Sequence, residues 1–166
     1  MKFDTIDSVK EGGFVGFKTA PELRKSDLAE VLEVPGVYMV LRNPSVPPVF
    51  SEKSTGGHFK GKDSAVAIEV LERNWVNGAA VIYIGKAGGG SSSATLRRRL
   101  KSFLRFGEGH PVGHWGGRFI WQLQDAGSLL FCWRHVGDSD ARELERDLIR
   151  DFVRMFGTRP FANLRD

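Results

Sequence analysis

Apolar and polar positions along the 166 residues follow two rhythms. Gly36–Leu41 (GVYMVL) and Ala80–Gly85 (AVIYIG) are short apolar runs rich in β-branched and aromatic residues. Pro35 and Asn43-Pro44 bound the first and Asn77-Gly78 precedes the second, which predicts two buried strands. Arg118–Leu123 and Leu129–Val136 read as two more, joined by the turn residues Gln124-Asp125-Ala126-Gly127 as a hairpin. A helical spacing replaces this pattern elsewhere. Ala65, Ile68, Leu71 and Trp75 predict a helix over Ser64–Trp75 capped by Asp63 or Ser64, and Ser93 caps another running to about Phe106. Asp140 and Glu143 open a long helix over Ala141–Phe156 that Gly157 and Pro160 end. The first 34 residues read weakly, as a lead-in segment with a short helix over Asp27–Val34 stopped by Pro35. Residues 43–61, 86–93 and 107–117 are loops rich in Gly, Pro or Ser. The expectation is one α+β domain with short strands and no internal repeat.

Composition narrows the setting. The longest apolar run, Ala79–Ile84, falls far short of the roughly 20 residues that cross a bilayer, and Met1–Lys10 lacks an apolar signal core. Cys132 is the only cysteine, and no Cys/His spacing suits zinc, so a reducing cytoplasm is expected and any metal must come through oxygen ligands. Charge is divided unevenly. Residues 1–85 carry 10 basic and 11 acidic groups, whereas 86–166 carry 14 and 9, with 12 of those 14 cations arginine. Arginine's planar fork matches phosphate oxygens in pairs, which points to a polyanionic partner.

Two helices carry a polar residue where an apolar one belongs. Projected at about 100° per residue, Ala141, Leu144, Leu148, Ile149, Phe152, Met155 and Phe156 share one arc, and Glu145 falls inside it. A carboxylate there needs a cation, a metal ion or the edge of a cleft. In the arginine-rich helix, Leu96, Leu100, Phe103 and Leu104 form the stripe, Arg97, Arg98, Lys101 and Arg105 point away, and Arg99 sits at its margin. Arg99 either snorkels over a phenylalanine or clamps phosphate beside Glu145, with the four outward cations as a nucleic-acid face.

Gly36-Val37-Tyr38 and Tyr83-Ile84-Gly85 resemble the paired motifs of the GIY-YIG nuclease superfamily. The order that follows is similar to the N-terminal nuclease domain of the excision-repair protein UvrC: Lys86-Ala87, then Leu96-Arg97-Arg98-Arg99-Leu100, then Leu144-Glu145-Arg146, then Pro160-Phe161-Ala162-Asn163. The resemblance covers about 35–166 and implies a small antiparallel sheet flanked by helices, with a loop-and-helix insertion at about 43–78 as a candidate lid or specificity element. It implies divalent-metal-dependent hydrolysis of phosphodiester bonds in DNA, RNA being the lesser expectation, in repair or in restriction and defence. Glu145 would hold one Mg²⁺ or Mn²⁺ and Tyr83 would act on the attacking water as general base or by orienting it. Arg99 would contact the phosphate in bidentate fashion, Tyr38 would position water or phosphate, Lys86 would add charge, and Asn163 would tether the backbone near the cleft. One active site nicks one strand, so a double-strand break calls for a homodimer, a partner protein or two encounters. Family members often carry Tyr or His four residues after the helix arginine; Phe103 stands there in this chain. Trp115 and Arg118, in Gly113–Arg118, either contact nucleic acid or pack as a glycine-rich turn. A non-catalytic nucleic-acid-binding module on the same fold is the alternative expectation.

Overall fold

The computed structural model describes residues 1–137 and 140–164. Among them a four-stranded antiparallel sheet has the order β1-β4-β2-β3, with β1 at Val15–Thr19, β2 at Gly36–Leu41, β3 at Val81–Ala87 and β4 at Leu130–His135. Five helices accompany it: α1 (Ile6–Glu11), α2 (Ala20–Lys25), α3 (Ile68–Asn74), α4 (Leu96–Gly107) and α5 (Ala141–Phe156). The α+β class and the small antiparallel sheet are as expected. None of these helices is long and apolar enough to cross a membrane.

Strand alternation sends side chains of β2 to opposite faces. Tyr38 and Val40 join a core with α2 and α4, while Val37, Met39 and Leu41 join a second core with α1 and α5. The β2–β3 register pairs Tyr38 with Gly85, Val40 with Tyr83 and Leu41 with Val81, leaving Ile82 unopposed. The regular pairing puts both tyrosines on the α4 face, and the extra residue bulges β3 so that Val81, two positions before Tyr83, faces α5 instead.

Several boundaries differ from the expectation, each for a local reason. Residues 118–123 do not form a strand: Arg118–Gln122 is a 3-10 helix entered through Gly117 at φ 81°, so the hairpin is absent and β4 pairs with β1 and β2 instead. Gln122 explains the choice, because its buried amide accepts from Val66 N–H (2.8 Å) and donates to the carbonyls of Ser51 (3.0 Å) and Val66 (2.9 Å). Thr95, not Ser93, caps α4 by accepting from Arg98 N–H. The 64–75 helix begins only at Ile68, since Asp63 closes a local turn onto Ala65 N–H. Met155 is 41% exposed at the edge of the α5 arc.

The expected helix over 27–34 is replaced by turns; the helix lies earlier, at α2, where Thr19 and Glu22 form a reciprocal capping box with Pro21 in the first turn. Residues 1–34 also supply β1, an edge strand of the same sheet. The 43–78 insertion is anchored to the body. Phe50, Trp75 and Phe161 form an aromatic trio with centroids 5.0–5.9 Å apart, and Arg42, beside the insertion's start, pairs with Asp125 at 2.8 Å.

Candidate active site

The cleft lies along β3, the sheet's free edge. Asn163 completes that edge: its Oδ1 accepts from Ile84 N–H (2.8 Å) and its Nδ2 donates to the Ile84 carbonyl (2.7 Å), as a neighbouring strand would. Ala162 N–H donates to the carbonyl of the bulged Ile82 at 2.9 Å. The segment after α5 is thereby stitched to β3, and Asn163 performs the tethering expected of it.

Tyr38 is fully buried and Tyr83 is 6% exposed, with ring centroids 5.9 Å apart. Gly85 makes that approach feasible, because a Cβ there would lie 2.6 Å from Cζ and Oη of Tyr38 and 2.9 Å from Cε1 of Tyr83. Burial pushes the Tyr38 hydroxyl well above the usual phenol range, and a Tyr83 anion would push it further, with Arg99 opposing. Tyr83 is likewise raised by burial; the Tyr38 hydroxyl and Arg99 oppose the shift and Glu145 adds to it. Both tyrosines are therefore neutral phenols at ordinary pH, and Tyr83 is equipped to orient a water molecule.

A pocket of about 310 Å³ brings Tyr83, Lys86, Arg99 and Glu145 together with Gly88, Ser92 and Ala94. It adjoins a larger cleft of about 1310 Å³ that shares Tyr83, Lys86 and Glu145 and adds Trp115, Arg118, Asn163 and a set of α5 residues. Tyr38 lies behind this surface. Glu145 is half-buried on α5, and burial raises its carboxyl above the usual glutamate value against the pull of Lys86, Arg99, Arg142 and Arg159. The carboxylate that misfits the apolar arc is thus at the edge of a cleft, facing cations.

The other cations of α4 are not gathered here. Arg97 is spent on the turn before β2, donating to the carbonyls of Val31 (2.7 Å) and Ala29 (3.2 Å) and bridging Glu33 (3.3 Å). Lys101 pairs with Asp27 at 2.9 Å. Arg98 and Arg105 are exposed, and none of the four lines either cleft. Trp115 is half-buried, with the Arg118 guanidinium over its ring at 4.5 Å. No residue of the 43–78 insertion lines the two cavities.

His114 is a site residue that sequence reasoning missed. It is fully buried, its Nε2 is 3.2 Å from the Tyr38 hydroxyl, and its ring stacks on Phe103 at 4.2 Å. Burial holds it well below the usual histidine range, with Arg99 adding to the shift, so the ring is neutral. Among the described residues its buried Nδ1 meets no hydrogen-bond partner. The only signal in the sequence is a histidine among close-packed glycines, Gly113, Gly116 and Gly117. Gly117 at φ 81° carries the chain tightly past Phe103 and Tyr83.

The donor set suits a hard cation such as Mg²⁺ with one protein carboxylate, which keeps several waters and takes substrate phosphate oxygens as its other ligands. Among the described residues no three His, Cys, Asp or Glu side chains form a cage, and the half-buried Glu145 opens onto both cavities. No family model matches this chain, and no curated protein or solved structure is significantly similar to it.

Proposed function

We propose that this chain is a divalent-metal-dependent endonuclease that hydrolyses a phosphodiester bond of DNA in the cleft beside β3. The observation that carries the reading is the convergence of Tyr83, Lys86, Arg99 and Glu145 on one solvent-open pocket. These are four of the six residues to which the family resemblance gives a part in the reaction, and they come from β3, α4 and α5; Tyr38 lies behind the pocket and Asn163 lines the larger cleft.

Each group has a task its chemistry suits. Arg99 offers a planar fork to two phosphate oxygens, and Lys86 adds a point charge. The Tyr83 hydroxyl accepts from and aligns the attacking water, while Tyr38, itself hydrogen-bonded to His114, packs against the Tyr83 ring from behind. Glu145 would hold Mg²⁺, which when bound neutralises charge on the scissile phosphate and leaving oxygen. The water oxygen bonds to phosphorus and gives up one proton to bulk water in the open cleft, the bond from phosphorus to the leaving sugar oxygen breaks, and that oxygen takes a proton from bulk water.

Labelled single-stranded, duplex and branched DNA, with RNA as a further arm, incubated with the protein in Mg²⁺ or EDTA tests this. Product in Mg²⁺, none in EDTA and none with Glu145→Ala is expected. Salt-sensitive binding without metal-dependent product on any substrate would sink the nuclease reading and favour a binding module.

A further inference from the structure

Phosphate binding was expected on the outer face of α4, yet two of its four cations are committed to the 27–33 turn and none reaches the cleft. The cleft has arginines of its own. Arg142, Arg146 and Arg150 occupy positions i, i+4 and i+8 of α5, and all three line the larger cavity with Arg118 and Arg159. Residues four apart stand about 6 Å apart along a helix and share a face. One strand of a duplex rises about 3.4 Å per nucleotide along the axis while winding around it, so successive phosphates stand farther apart than that, and the row's spacing of about 6 Å is of the same order.

Three like charges in a row weaken a bare helix. Here Glu143 and Asp147 temper them: Arg146 bridges Glu143 at 3.2 Å and Arg150 bridges Asp147 at 3.1 Å. The Arg146–Glu143 pair is exposed, where an ion pair contributes little, and Arg150 is exposed although the Asp147 Oδ1 that it meets is buried, so phosphate can draw both guanidiniums away at modest cost. Among the described residues the lining holds six cations against Asp140, Glu143 and Glu145. Its composition also selects among nucleic acids. Proteins that grip single strands stack bases on aromatic platforms. Among the described residues the aromatic lining is Tyr83 and Trp115 alone, and Arg118 already covers one face of the Trp115 ring.

We propose that the Arg142–Arg146–Arg150 row of α5, with Arg118 and Arg159, is a track for the sugar-phosphate backbone of duplex DNA leading to the Glu145 pocket. This gives the nuclease reading its substrate-binding surface and rests on that reading for the bond that is cut. The track is sequence-independent, since every contact it offers is to phosphate.

The test is equilibrium binding of the full chain to a fluorescent duplex in EDTA, titrated with salt between about 50 and 200 mM. Replacing the three arginines together (Arg142→Gln, Arg146→Gln, Arg150→Gln) should weaken binding by at least about tenfold and reduce the log–log salt slope by about 2 to 3. Thermal unfolding of the variant, expected to match wild type, separates lost contacts from lost structure. An unchanged slope in a folded variant would overturn the proposal, and so would a slope carried instead by Arg98→Gln with Arg105→Gln. Tighter binding of single strands than of duplex would overturn it too. Wild-type cleavage in Mg²⁺, run in parallel, keeps the two readings apart. Cleavage with arginine-independent binding refutes the track alone; arginine-dependent binding without cleavage refutes the nuclease alone.

Discussion

The His114 imidazole lies nearly parallel to the Phe103 ring, 18° apart with centroids at 4.2 Å, and its Nε2 reaches the Tyr38 hydroxyl at 3.2 Å. A ring from the loop before the 3-10 helix thereby sits beside the α4 position where the resemblance implies Tyr or His. The chain thus places an imidazole next to the paired tyrosines from a segment other than α4.

One consequence is a pH dependence of stability. The folded protein keeps His114 neutral because burial penalises its charged form. In the unfolded chain the ring protonates at about pH 6.5, so the unfolded state binds more protons and stability falls as pH drops below that value. His114→Asn removes this component. Urea midpoints measured across the acid range should decline less steeply for the variant, and parallel declines would show that His114 is not the group responsible.

A second consequence is that the ring can be moved. His114→Ala should slow cleavage by about 10- to 100-fold, the usual cost of losing an orienting partner. Adding Phe103→His places an imidazole back near Tyr38, whose ring is 6.2 Å from that of residue 103. Partial recovery of the cleavage rate in the double variant, with the pH–rate profile returning toward wild type, is expected. No recovery in a folded double variant would mean that His114 serves only packing.

Gly85 should tolerate no side chain. A Cβ would lie 2.6 Å from the Tyr38 ring, and the backbone cannot retreat because β3 is hydrogen-bonded to β2 on one side and to Asn163 on the other. Gly85→Ala is expected to destabilise by about 1–3 kcal/mol, as overpacking does, and to displace both tyrosines. Denaturant unfolding and the near-ultraviolet circular dichroism of the tyrosines read the two effects separately.

The parts of this site that were legible in the sequence are those written in a periodic code. β2 and β3 have unbroken apolar patterns, and those of α4 and α5 are regular enough that Arg99 and Glu145 stand out as violations. The segment Arg118-Phe119-Ile120-Trp121-Gln122 misleads because a short apolar run does not distinguish a strand from a buried turn. The amide of Gln122 decides the matter through contacts to residues 51 and 66, which no local pattern encodes. β1 is hidden for a related reason: Gly16 and Phe17 both have positive φ, its register breaks between Gly16 and Lys18, and its exposure does not alternate. The arginine row carries no mark in the periodic code, because a cleft wall and an open surface have the same helical spacing.

Glu145 sets function against stability. Burial raises its carboxyl, and the nearby cations offset this only in part, so the folded state binds that proton more readily than the unfolded chain does. Stability from this group is therefore present below the usual glutamate pKa of about 4.3 and lost as pH rises through the raised value. Glutamine never ionises and escapes the loss. Glu145→Gln should abolish Mg²⁺-dependent cleavage while leaving the metal-free protein at least as stable as wild type at neutral pH and indistinguishable from it in acid. Thermal midpoints at the two pH values, taken in EDTA, check the second half. A variant less stable at neutral pH would mean that Lys86, Arg99, Arg142 and Arg159 hold the carboxylate more strongly than burial repels it, and that the cleft is organised around an anion even without a metal.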